Sequence, residues 1–237
     1  MLGAALREQV CQANRELPTL GLVTLTWGNV SGFDSDQGWV AIKPSGVPYG
    51  ELRPADIVLL DLEGRVLDGE LRPSTDTPAH LVLYRAWGGA TEKVGGICHT
   101  HSELATAFAQ ARMELPCFGT THADHFDGPV PLTRQLRPEE VASGYEAATG
   151  QVLVERFAGS PAMSPRRIPA ALVPGHGPFT WGADAAAALN HAVALEAVAK
   201  IAHAQLALGR AIELEEFLRA KHQQRKHGRD AYYGQIR

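Results

Sequence analysis

The sequence predicts one α/β domain built around a mixed sheet. Three observations support this. Strand-like and helix-like patterns alternate irregularly along the 237 residues, at least one strand pair closes as a hairpin, and no repeat, low-complexity linker or break in composition divides the chain. Neither Gly-x-Gly-x-x-Gly nor Gly-x-x-x-x-Gly-Lys-Ser/Thr occurs, which argues against a doubly wound dinucleotide fold and a P-loop.

The elements follow in order. Leu2, Leu6, Val10, Ala13 and Leu17 recur at helical spacing, broken by Arg7, Glu8 and Arg15. Met1 to Leu17 therefore reads as an amphipathic helix ending near Pro18, not as an apolar targeting segment. Gly21-Leu22-Val23 reads as a short strand running into Thr24 to Ser31, and Trp39 to Ile42 as a second strand stopped by Lys43-Pro44-Ser45-Gly46. Ile57 to Leu60 and Arg65 to Leu67 flank Glu63-Gly64 as a hairpin. Thr77-Pro78 is a helix start, with Thr77 as cap and Pro78 in the first turn. Gly95 to His99 is a strand, followed by a helix through Leu104, Ala107 and Phe108. Pro138 opens a helix that Gly150 closes. Ala171 to Val173 and Phe179 to Trp181 enclose a Gly-His-Gly turn. Asp184 caps a long alanine-rich helix to Leu208, apolar around more than half its circumference and so covered on several sides by other layers or a partner subunit. Glu213 to His227 forms a last helix, with basic residues at its negative end and Gly228 as the stop.

Composition narrows the function classes. A hydrophobic fraction of 45% with 20% charged residues is that of an ordinary globular protein. A net charge of −4 without a dominant basic segment before the tail argues against nucleic acid as the main partner. No stretch reads as a transmembrane span, so no membrane partner is expected. Cys11, Cys98 and Cys117 are odd in number and lack a Cys-x-x-Cys pattern, which suits a reducing cytoplasm.

The chemistry-bearing residues begin with His99-Thr100-His101 and Gly175-His176-Gly177. Residues i and i+2 of a strand share a face, so His99 and His101 can grip one ion. A third imidazole from the glycine-flanked turn would leave a divalent metal with an open position, the arrangement of a catalytic centre. Cys98, next in sequence to His99, should face the opposite side. Three turns, Thr26-Trp27-Gly28-Asn29, Lys43-Pro44-Ser45-Gly46 and Ser74-Thr75-Asp76, offer hydroxyls, backbone N–H groups and a cation that suit a phosphate monoester. Each taken alone reads equally as an ordinary turn. Asp76 either caps the following helix or serves the site. Asp124 is either a turn carboxylate or a general acid or base. His122 and His125 read first as loop residues and second as extra ligands. The adjacent tyrosines of the tail, Tyr232 and Tyr233, suggest docking, either as interface aromatics or to deliver a phenol as proton donor.

Seven of these segments in order resemble the class II aldolase/epimerase family: Leu22 to Ser31, Lys43 to Gly46, Pro73 to Pro78, His99 to Ser102, Gly119 to Asp124, His176 to Phe179, and the Tyr-Tyr-Gly-Gln tail. The resemblance covers nearly the whole chain, 1–237. It implies a three-layer α/β/α sandwich around a mixed, mostly antiparallel sheet, and a cyclic homotetramer with active sites at subunit boundaries. It implies Zn2+, or another divalent cation such as Mn2+, on His99, His101 and His176, with Asp76 adjacent and able to ligate. Gly28, Asn29, Ser45, Gly46, Ser74 and Thr75 would hold the substrate, chiefly its phosphate, with Lys43 near the reacting oxygens and Thr120 and Glu146 lining the site. Asp124 and Tyr233 would be the acid/base pair, Tyr233 arriving from the neighbouring subunit.

The activity implied is interconversion of L-ribulose 5-phosphate and D-xylulose 5-phosphate in the cytoplasm, by opening and reclosing the C3–C4 bond. The C4 hydrogen is not adjacent to the carbonyl, so direct deprotonation is unfavourable; bond cleavage with metal-assisted charge stabilisation avoids it. The alternatives are an aldolase of the L-fuculose 1-phosphate type, which carries Glu where Asp76 stands, a metal-free Schiff-base enzyme using Lys43, and a non-catalytic scaffold of the same fold. The chain departs from the family pattern in Ser74-Thr75 for Ser-Ser, in lacking a second histidine just upstream of His176, in His125-Phe126-Asp127, and in the added Ile236-Arg237.

Overall fold

The computed structural model describes residues 1–158, 163–228 and 231–232. Its strands are β1 (Gly28–Asp34), β2 (Trp39–Ile42), β3 (Val58–Leu60), β4 (Val66–Asp68), β5 (Gly96–Thr100), β6 (Ala170–Leu172) and β7 (Pro178–Gly182). They form one seven-stranded sheet in the order β4-β3-β2-β1-β5-β7-β6. Every pairing between these strands is antiparallel. Among the described residues the parallel pairing is an isolated bridge, Leu132 to Leu172. The α/β class and the mostly antiparallel sheet are thus as expected.

The helices are α1 (Ala4–Glu16), α2 (Thr77–Trp87), α3 (Glu103–Gln110), the single turn α4 (Thr120–Ala123), α5 (Pro138–Phe157), α6 (Ala185–Ala207) and α7 (Glu216–His227). Strand alternation sends successive side chains to opposite faces, and both faces are covered. On one face Ile97, Phe179 and Trp181 pack with Leu81, Tyr84 and Trp87 of α2 and with Leu153 and Phe157 of α5. On the other, Val30, Ala41, Leu59 and Cys98 pack with Val10 and Ala13 of α1 and with Ala188, Leu189 and Ala192 of α6. Cys98 therefore faces away from His99, as the alternation required. Asn14 ties α1 to β1: its side chain donates to the Val30 carbonyl (2.8 Å) and accepts from the Val30 N–H (2.8 Å).

Several expectations change. Gly21-Leu22-Val23 is a turn rather than a strand, because the Leu22 N–H closes back on the Leu17 carbonyl at the end of α1. The cap of α2 is Asp76, not Thr77, whose hydroxyl donates to the Ser74 carbonyl instead (2.6 Å). Helix α6 is long and apolar enough to cross a membrane by length and composition, against the expectation that no stretch reads as a span. More than half of that stretch is buried, and it packs against β1, β5, β6 and β7, as a core helix does. The Asp184 cap of α6 is confirmed, accepting from the Ala187 N–H at 2.7 Å.

Gly150 does not stop α5; the helix continues to Phe157. A Cβ at Gly150 would lie 2.8 Å from the Ala79 carbonyl oxygen and 2.8 Å from Val82 Cβ, so the glycine is where α5 and α2 touch backbone to backbone. Gly150→Ala would gain about 1 kcal/mol of helix propensity, but pushing the two helices apart costs about 1–3 kcal/mol. We expect a net lower thermal midpoint, measured by circular dichroism; a raised midpoint would mean that the interface has room to spare.

Candidate metal centre and its pocket

Three neighbouring strands carry one row of side chains toward α2. Asn29 of β1 sits opposite His99 of β5, which sits opposite Phe179 of β7. The His99 ring lies flat on Phe179, with centroids 4.1 Å apart and planes 18° from parallel. His99 Nδ1 lies 2.9 Å from the Pro178 carbonyl oxygen. A carbonyl only accepts, so Nδ1 carries the proton and Nε2 keeps its lone pair, the tautomer that a metal ligand needs.

His101 follows two residues on, and its Nε2 lies 3.2 Å from His99 Nε2. His176 arrives from the turn between β6 and β7. That turn needs both its glycines: Gly175 has φ +69°, and a Cβ at Gly177 would strike the Thr100 carbonyl oxygen at 2.8 Å. The His176 ring centroid is 4.6 Å from that of His99 and 5.1 Å from that of His101. The three candidate ligand nitrogens lie within 4.8 Å of one another.

The donor set fits a divalent cation. Two imidazole nitrogens held tetrahedrally at about 2.0–2.1 Å from an ion would be roughly 3.3 Å apart, close to the His99–His101 spacing. Burial lowers the proton affinity of all three rings, that of His176 to about 3, so each is neutral and available as a ligand at pH 7. Burial works against a charge on Asp76, but His99, His80, the Asn29 amide and His176 together outweigh it and hold the carboxyl below its ordinary value. Asn29 Nδ2 donates to Asp76 Oδ2 at 2.7 Å and to Ser74 Oγ at 3.1 Å. Asp76 makes no capping bond to α2, because its carboxylate is turned to the site.

These residues share a pocket of about 330 Å3, lined by all three turns singled out in the sequence, from Thr26 to Asn29, Lys43 to Gly46 and Ser74 to Asp76, together with the three histidines. Trp27 stands at its rim with its surface 53% exposed. Lys43 is buried in the pocket wall and, among the described residues, forms no ion pair with a carboxylate. Its Nζ donates to the Pro44 carbonyl (3.1 Å) and lies 4.9 Å from the Tyr49 ring centroid, and burial brings its pKa down to about 8. Such a lysine is a cation waiting for an anion, near the end of its charged range.

The other predicted residues lie elsewhere in the chain. Asp124 ends α4 and is held by α7, accepting from His222 Nδ1 (2.9 Å) and from Arg225 Nη2 (2.6 Å). Burial opposes its charge; Arg225 and His222 more than compensate. Thr120 is exposed and lines a separate groove with Phe118, Val198 and Ile201. Glu146 is half-buried on α5. Tyr233 lies outside the described residues. His122 is a buried structural residue whose ring bonds to the Gly128 carbonyl (2.8 Å), and His125 lies 3.3 Å from Lys226 Nζ; neither joins the trio.

Two contributors escaped the sequence reading. Glu196 of α6 accepts from the Leu104 and Ala105 N–H groups (3.0 Å each), capping α3 directly after His101 while Ser102 makes no side-chain cap. Its distance in sequence hid it. Tyr145 places its phenol oxygen 3.1 Å from His176 Nδ1, next to the Glu146 that the sequence favoured.

Three neutral imidazoles, a half-buried carboxylate and a pocket lined with hydrogen-bond donors define a centre able to hold a divalent cation and an anionic ligand side by side. Residues 8–203 match the class II aldolase and adducin N-terminal domain, and the chain belongs to that family. Class II aldolases are divalent-metal-dependent enzymes. The solved structure of an L-fuculose 1-phosphate aldolase aligns with a TM-score of 0.76 at 23% identity, over 94% of this chain and 96% of that one. YgbL from Escherichia coli gives 0.73 at 24% identity, over 93% and 99%. The L-fuculose 1-phosphate aldolase from Glaciozyma antarctica PI12 gives 0.71 at 20%, over 92% and 80%. At these identities the likeness establishes the fold.

Elemental analysis of the purified protein should find about one divalent ion per chain. His99→Ala should lose most of it, whereas His122→Ala should keep it. Equal loss in both variants would point to unfolding rather than to removal of a ligand.

Proposed function

We propose that this chain is a metal-dependent sugar-phosphate 4-epimerase that interconverts L-ribulose 5-phosphate and D-xylulose 5-phosphate by opening and reclosing C3–C4. The observation that carries this reading is the convergence of His99, His101, His176, Asp76 and the three donor turns on one pocket. A divalent ion on the three histidines, with Asp76 beside it, would supply Lewis-acid stabilisation of the charge released when the bond opens.

The chain's own residues account for the rest. Gly28, Asn29, Ser45, Gly46, Ser74 and Thr75 bind the phosphate through hydroxyls, an amide and backbone N–H groups, and Lys43 supplies the positive charge. The phosphate is on C5, so cleavage leaves the enediolate of dihydroxyacetone and glycolaldehyde phosphate. The anchored phosphate keeps the aldehyde fragment in place while its carbonyl turns to present the other face. Inversion requires a proton carrier on each face, and we assign these to Asp124 and Tyr233. Within one chain neither Asp124 nor Thr120 is part of the pocket lining, so the reading requires a neighbouring subunit of a homotetramer to bring them, with Tyr233, to the trio.

A second reading, an aldolase, is favoured by the likeness to L-fuculose 1-phosphate aldolase. Asp76 in place of the Glu that such an aldolase carries favours the epimerase. A coupled assay for D-xylulose 5-phosphate separates the two: the epimerase consumes L-ribulose 5-phosphate without building up free aldehyde, whereas steady release of an aldehyde fragment would establish the aldolase. Activity lost on chelation and restored by zinc or manganese excludes the Schiff-base route through Lys43.

Lys43 also sets a pH dependence. Its pKa of about 8 means that it is charged below that pH and loses its proton above it. The KM should therefore rise as pH increases through about 8, and Lys43→Arg, charged throughout, should remove that rise. A KM equally pH-dependent in Lys43→Arg would assign the effect to another group.

A further inference from the structure

We propose that Tyr145 is a positioning residue for the metal centre: its phenol oxygen accepts the His176 Nδ1–H and so leaves Nε2 of that ring as the ligand atom. The inference rests on the metal-centre reading above and concerns how the third ligand is oriented.

His99 and His176 are restrained very differently. His99 is stacked on Phe179, and the Pro178 carbonyl selects its tautomer. His176 sits on a turn between two glycines, where the backbone offers little to hold the ring. Among the described residues, the hydrogen bond to its ring comes from Tyr145, at 3.1 Å with ring centroids 5.8 Å apart. A neutral imidazole carries one proton and can place it on either nitrogen. An acceptor at Nδ1 favours the Nδ1–H form and frees Nε2, as Pro178 does for His99.

The backbone that carries Tyr145 is held in place, and the side chain itself is 37% exposed. Tyr145 directly follows Gly144, where φ 161° and ψ 79° interrupt the helical course of α5. The Thr149 hydroxyl, one turn on, donates to the Tyr145 carbonyl at 2.9 Å. Gly150 then seats the same stretch against α2. The helix that delivers the phenol is thus locked to the helix whose start carries Asp76. Asp76 and Tyr145 thus reach the centre from one helix pair, while the partner of His99 comes from β7.

The test is zinc affinity by chelator competition in the wild type and in Tyr145→Phe, which removes only the hydroxyl. Loss of such an outer partner weakens metal binding roughly ten- to hundredfold, and we expect a fall in that range. The thermal midpoint of the metal-free protein should stay unchanged, and the visible absorption bands of the Co2+-loaded protein should shift. Unchanged affinity and spectrum in Tyr145→Phe would overturn the inference and leave the metal centre standing. A fall in affinity accompanied by an equal loss of metal-free stability would also overturn it, returning Tyr145 to a packing role. A wild type that binds neither zinc nor cobalt would instead overturn the metal-centre reading, and the inference with it.

Discussion

The site depends on the placement of one ring. His99 lies in the middle of the sheet, flat on Phe179, with its inner nitrogen bound to the Pro178 carbonyl. Both partners come from the start of β7, so the antiparallel pairing of β5 with β7 orients the ring and selects its tautomer together. The pairing of β5 with β1 sets Asn29 opposite the same histidine, and Asn29 in turn holds Asp76. A slip of either register by one residue would turn these side chains to the opposite face. Strand pairing is therefore the physical constraint from which the rest of the centre follows.

The part of β1 beneath the start of α2 is polar. Two rungs join β1 to α2: Asn29 to Asp76, and Ser31 to both His80 and Tyr84 at 2.7 Å each. Strand positions two apart meet helix positions four apart, because both spacings cover about 6 Å. The first rung belongs to the pocket and the second lies behind it. Burial holds the pKa of His80 down at about 3, so at pH 7 its ring is neutral and acts as a hydrogen-bonding strut. The start of α2 is tuned to the site at the expense of its own cap, since the Asp76 carboxylate is turned toward Asn29 and the histidines.

Much of this was legible in the sequence, because it rests on short-range rules. The i, i+2 spacing of His99 and His101, the glycines around His176, the Asp184 cap and the Trp39 to Ile42 strand are local features with local causes. The three turns were legible as donors one at a time, whereas their convergence was implied by the family resemblance alone, because it arises from strand order. Gly150 misled for a related reason: read locally a glycine near a helix end is a stop, and only the facing α2 backbone shows that it is a contact. Glu196 and Tyr145 act on partners 92 and 31 residues away, and no periodicity marks them. Asp124 reads as unexplained in sequence; within the chain it accepts from His222 and Arg225, which ties α7 to the end of α4.

Trp27 adds an optical consequence. Trp87 and Trp181 are buried in the aromatic cluster with Phe157 and Trp39 is partly buried at the start of β2, whereas Trp27 stands half uncovered at the pocket mouth. Its emission is therefore accessible to aqueous quenchers such as iodide, while that of the buried pair is shielded. Filling of the pocket should register as a change in the quenchable fraction of the fluorescence, so the molecule carries its own reporter of occupancy without any attached dye.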